Sequence, residues 1–178
     1  MTLTPRNQLI AVVVVTLYAW GLLLWWYFNG GVPVHHVMQR ADMPGISNWW
    51  GALLLPLLAV ITVFRVKRRL TAEQEVPEPV VRAIAGAFVT GVVIATLFTL
   101  GANDALGYVI YVLMVLAIAF PLYRAEYILG FVVAMTFTFG AVLPTAFALV
   151  VAIFSLVVYH LVRPLFVRFA KQLGQTNN

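Results

Sequence analysis

The chain has no cysteine among its 178 residues. That absence excludes a disulfide framework, thiolate metal ligation and a cysteine nucleophile. Charge is scarce as well, with only 10% of residues being Asp, Glu, Lys or Arg. A soluble domain carries about 25%, so too little charge is present to keep a folded surface wet. Acidic residues are scarcest, six against eleven basic ones, which leaves few carboxylates for acid–base or metal chemistry. No phosphate-binding loop, nucleophile elbow or paired zinc-ligand helix is recognisable.

What the chain has instead is apolar sequence: 63% hydrophobic residues and a mean hydropathy of +0.98. A membrane-spanning helix needs about 20 mostly apolar residues. Six stretches qualify, at about 9–28, 49–64, 80–100, 105–122, 127–143 and 145–162. They predict an all-α polytopic membrane protein, a single domain over 1–178 with six transmembrane helices in one bundle. The first run is longer than the 7–15 residues of a signal-peptide core and no small-x-small site follows, so it reads as a retained helix. The spans leave an external loop at 29–48 and an internal loop at 65–79. Past the last span, Leu165, Phe166, Phe169 and Leu173 share one helical face, which predicts an interfacial helix over 163–173.

Basic residues set the orientation, because cytoplasmic loops accumulate Lys and Arg. With the N-terminus inside, Arg6, Arg65, Lys67, Arg68, Arg69, Arg82, Arg124, Arg163, Arg168 and Lys171 share the cytoplasmic side, and Arg40 alone lies opposite. Both termini are therefore expected in the cytoplasm of a cell with a plasma (bacterial inner) membrane. The same asymmetry explains the net charge of +5 without a nucleic-acid partner. Trp20, Trp25, Trp26, Trp49 and Trp50 all fall near the outer ends of the first two spans. An indole has an apolar body and one N–H, which suits the headgroup boundary.

Lipid tails compete with apolar side chains, so helices in a membrane associate where small residues let backbones approach. Span three carries Ala83, Ala87, Gly91, Ala95 and Thr99 at every fourth position, and span five carries Gly130, Ala134 and Thr138. These ridges predict that helices three and five are central. They also suit a homo-oligomer or a membrane partner subunit. Pro56 is expected to kink the second helix.

No span has a charged residue near its middle, which argues against a proton-driven pump or a charge-lined channel. Polar chemistry falls into two layers. In the outer one, Pro33 and Pro44-Gly45 bracket a short helix within the loop, placing His36 and Arg40 one turn apart. Ser47 or Asn48 is expected to cap the second span. Asp104, at the start of span four, suits an N-cap, and Asp104, Tyr108 and Tyr111 form one helical stripe. With Thr96, Thr99 and Thr138 at similar depth, they predict an outward-opening ligand pocket with the His35–His36 loop as its lid. The plainer role of each threonine is a hydrogen bond to its own i−4 carbonyl. His35, His36, Asp42 and Asp104 also supply donors for a divalent metal, although no ligand spacing supports it. The inner layer holds Arg124, Glu126 and His160, a cluster of the kind that fixes helix ends.

These features lead to a small membrane carrier or solute-binding protein for a small, neutral or weakly charged molecule. A membrane-embedded enzyme acting on a lipid or quinone-like substrate, metal-dependent through the outer layer, is the main alternative. A non-catalytic accessory subunit is the third.

Overall fold

In the computed structural model, which describes residues 4–36, 42, 44–73 and 78–162, the first helix starts on two local signals. Thr4 Oγ1 accepts a hydrogen bond from the Asn7 amide at 3.3 Å, and Pro5 occupies the first turn, where its missing N–H costs nothing. Helix α1 (Pro5–Phe28) leads into a two-stranded antiparallel hairpin, β1 (Val34–His36) and β2 (Gly45–Ser47). A 3₁₀ turn at Asn48–Trp50 then opens α2 (Gly51–Glu73). Four more helices follow: α3 (Glu78–Thr99), α4 (Asn103–Ala119), α5 (Ala125–Phe139) and α6 (Val142–Val157), the last continuing into a π-helical turn at Val158–Val162.

The chain is an all-α membrane protein. Four segments, Pro5–Phe28, Asn48–Leu70, Pro79–Thr99 and Val142–Leu161, are long and apolar enough to cross a bilayer. Their outward faces carry exposed Leu17, Leu53, Val89 and Val150, which only lipid can cover at low cost. Helices α4 and α5 are shorter, at 17 and 15 residues. At 1.5 Å per residue, α5 extends about 22 Å against a hydrocarbon core of about 30 Å. It ends at Gly140, whose φ of +71° no β-carbon tolerates well.

Helix α5 is the centre of the packing. It lies against α2, α3 and α6, and Leu129 to Val132, Met135 and Thr136 are all buried. One core joins Ala19, Leu55, Ala95, Val132 and Ala148, drawn from five different helices. Its closest partner is α3. A β-carbon on Gly91 would stand 2.7 Å from that of Ala134 and 3.0 Å from the Phe131 carbonyl oxygen; one on Gly130 would overlap the Ile84 carbonyl. The small-residue ridges thus do bring these two backbones together. Only one of the two helices is enclosed, however: α3 leaves Val81, Phe88, Val89 and Val93 exposed. Tyr18 fixes α1 to the same centre by donating to the Val133 carbonyl at 3.1 Å.

Two local expectations change. The internal loop at 65–79 is mostly helix, because α2 continues through Arg65–Arg69 to Glu73. Arg and Lys are good helix formers, and no Gly or Pro interrupts the chain before Pro77. The short helix expected between Pro33 and Pro44 is replaced by the hairpin, at least over its described ends. Val34 pairs with Ser47, His35 with Ile46 and His36 with Gly45, and β-branched residues favour that pleated geometry. Pro56 sits inside α2 without ending it. Arg40 and the amphipathic stretch 163–173 lie outside the described residues.

Candidate functional site

The hairpin owes its shape to a close contact that requires glycine. A β-carbon at Gly45 would come within 2.7 Å of Val34 Cγ1 and 3.3 Å of His36 Nε2. At its base the Asn48 amide donates to the Pro33 carbonyl at 3.1 Å. Ser47 Oγ accepts from the Trp49 amide at 3.4 Å, the cap expected from the sequence. The Asn48 side chain is 4% exposed and presses on Gly140, where a β-carbon would collide with its Oδ1. The hairpin and the start of α2 are therefore seated on the α5–α6 turn.

Beneath the hairpin is a cavity of about 270 Å³ lined by His35, His36, Phe98, Thr138, Phe139 and Leu143, with Val34 at its edge. Phe98 and Phe139 form one wall, their ring centroids 4.5 Å apart and their planes inclined at 60°. His35 Nε2 is buried and has no hydrogen-bond partner, and Asn48 Nδ2 is in the same condition. Loss of solvent lowers the His35 pKa from its ordinary value, because burial disfavours the charged ring. A neutral imidazole offers one donor and one acceptor. An unused polar atom at such a wall is what a ligand hydrogen bond would satisfy.

Of the outer-layer residues, the structure gathers His35, His36 and Thr138 at this cavity. The others stand apart from it. Thr96 Oγ1 and Thr99 Oγ1 each donate to the carbonyl four residues back, Val92 and Ala95, both at 2.8 Å. Asp104 is exposed in the first turn of α4, one residue past its first residue; the cap position is Ala102, which offers no side-chain bond. There the carboxylate faces the positive end of the helix dipole without acting as the N-cap. Tyr108 and Tyr111 are 69% and 65% exposed, because α4 packs through Leu106, Val109, Leu113 and Ala117 instead. Among the described residues no three His, Asp or Glu side chains come together as a metal site, and Asp42 is exposed. Trp26 joins the core at 7% exposure beside Phe137, whereas Trp20, Trp25, Trp49 and Trp50 stay at the surface.

Of the expected Arg124–Glu126–His160 cluster, Glu126 pairs with Arg69 of α2 and His160 lies among aromatic rings. Glu126 is 2% exposed, and its Oε1 accepts from an Arg69 guanidinium nitrogen at 2.7 Å. Its Oε2 is buried without a partner. Close by, Thr62 Oγ1 shares its one proton between its own Leu58 carbonyl at 2.7 Å and, across to α5, the Ala125 carbonyl at 3.3 Å. His160 packs instead against the rings of Tyr123 and Tyr159, at 5.4 and 6.0 Å. Arg124 stands at the N-cap of α5 and makes no side-chain cap bond there.

Sequence reasoning missed Arg69 as the partner of Glu126, and Phe98, Phe139 and Leu143 as cavity walls. Arg69 belongs to a basic run whose topological role hid its contact. The two phenylalanines are indistinguishable by pattern from lipid-facing ones. Comparison with protein-family models, with curated proteins and with solved structures finds no match.

Proposed function

We propose that the chain is a small carrier or solute-binding protein with six spans and both termini cytoplasmic, placed in a bacterial inner membrane. Its outward-facing site is the cavity beneath the His35–His36 hairpin. The observation that supports this reading is that His35, His36 and Thr138 together border a space of about 270 Å³ beneath the hairpin. Sites for drug-sized molecules run from roughly 300 to 1,000 Å³, so the solute is small. Its hydrogen-bonding group meets His35 and Thr138, and its apolar body lies against Phe98 and Phe139. A neutral imidazole favours a neutral or weakly charged solute over a strong anion. The hairpin, held by one short strand pair and the Asn48–Gly140 contact, acts as the lid. No nucleotide-binding motif is present in the chain, so movement of solute would rely on a gradient or on a partner subunit.

The test is mass spectrometry of small molecules released from the purified protein. His35→Ala and Thr138→Phe, each checked for helix content by circular dichroism, should release less solute than the wild type. An equal load in both variants would sink the proposal.

A further inference from the structure

A second cavity, of about 540 Å³, lies at the basic end, between α3 and α4 with α5 and α6 behind it. Its walls include Gly86, Leu113, Phe131 and Phe147, with Arg82 and Tyr127 toward one end. It exists because of the small residues of α3. Ala83, Gly86, Ala87 and Thr90 all border it, and a β-carbon on Gly86 would meet nothing within 4 Å. Thr90 adds little polarity, since its hydroxyl is taken by the Gly86 carbonyl at 2.9 Å. Toward the hairpin end, α3 and α4 are joined by the tight turn at Gly101, whose φ is +68°.

We infer that this groove holds one acyl chain of an anionic phospholipid, with the headgroup beside Arg82. Two observations favour that occupant. The walls are almost wholly aliphatic and aromatic, and the groove opens among faces that the bilayer covers. Arg82 is exposed at the mouth, and Arg65, Lys67, Arg68 and Arg124 belong to the same end. One guanidinium at the end of an apolar slot matches a phosphate diester above its chain. This site is separate from the hairpin cavity and stands whether or not that cavity binds solute.

Native mass spectrometry of the full chain tests it, in detergent containing equal amounts of phosphatidylglycerol and phosphatidylcholine of matched chain length. The wild type should retain one phosphatidylglycerol with about fivefold preference, the worth of one basic residue at an anionic surface. Gly86→Phe should lower retention roughly tenfold by filling the slot, which has room for the ring. Arg82→Gln should keep the adduct and lose the headgroup preference. Retention by Gly86→Phe equal to wild type would overturn the inference, as would equal retention of the two lipids by the wild type. A second copy or another polypeptide held at α3 and α4 in place of lipid would overturn it too. Phosphatidylglycerol with a photoactivatable acyl chain removes dependence on any variant. Crosslinks in the peptide containing Leu113 and Leu116 are expected; crosslinks spread evenly over the exposed faces of α1 and α6 would refute the site.

Discussion

The two ends of α5 are built in opposite ways. At its start, Glu126 is paired with Arg69, Thr62 is tied to Ala125, and Gly130 lies in backbone contact with Ile84. At its finish, Thr138 and Phe139 face a cavity, and the nearby His35 and Asn48 hold polar atoms that nothing satisfies. An ion pair and a backbone contact thus hold the basic end, where Glu126 Oε2 is also unpartnered, and a cavity borders the hairpin end. Binding sites need a fixed support, and α5 is fixed at its start. The difference sets a cavity at the hairpin end against an ion pair at the basic end.

The contrast can be broken at either end, and the largest effect belongs to the ion pair. Arg69→Ala leaves the Glu126 carboxylate buried and unpaired, and should cost about 3–5 kcal/mol in reversible unfolding in detergent. A loss below about 1 kcal/mol would mean that the pair behaves as an exposed one. Gly130→Ala forces a methyl group into the Ile84 carbonyl and should cost about 1–3 kcal/mol, read as a lower thermal midpoint. Removing His35 should change stability by less than about 1 kcal/mol at neutral pH but alter its pH dependence. Because burial lowers the His35 pKa, the folded state binds fewer protons than the unfolded chain. Its contribution is complete above the unfolded value of about 6.5 and is lost as the pH falls below that, through the folded-state pKa. Thermal unfolding at pH 7.5 and 5 should show a drop in the wild type that His35→Phe reduces; an identical drop in both would clear His35 of any role. The smallest effect is at Gly86, where a methyl group meets open space. Gly86→Ala should stabilise the helix by about 0.5–1 kcal/mol, opposite in sign to Gly130→Ala.

How much of this was legible depended on the range of the interaction. Hydrophobic runs of bilayer length marked the membrane helices, because the bilayer imposes its dimension on each segment separately. The glycine and alanine spacing on α3 and α5 pointed to their contact, since one helix's ridge implies a close neighbour. The Ser47 cap was readable for the same local reason. The loop was misread because Pro33 and Pro44 bracket a helix equally well locally, while the pairing of His35 with Ile46 is visible only when both strands are in place. The stripe of Asp104, Tyr108 and Tyr111 is real as a pattern, but a pattern does not say which face of α4 meets protein. In the interior of a membrane protein both faces are apolar, so the rule that polar residues mark the outside loses its force. The small residues of α3 carried two meanings at once: Gly91 makes a contact and Gly86 makes a space, and spacing alone does not separate them.

The Arg69–Glu126 pair also bears on how the protein is made. Its partners are 57 residues apart, with α3 and α4 between them in the chain. When α2 first enters the bilayer, Glu126 has not yet been made, so this pair cannot form. Only after α5 has been synthesised and has docked does the carboxylate reach that arginine. Formation of this ion pair is thus a late event of biogenesis.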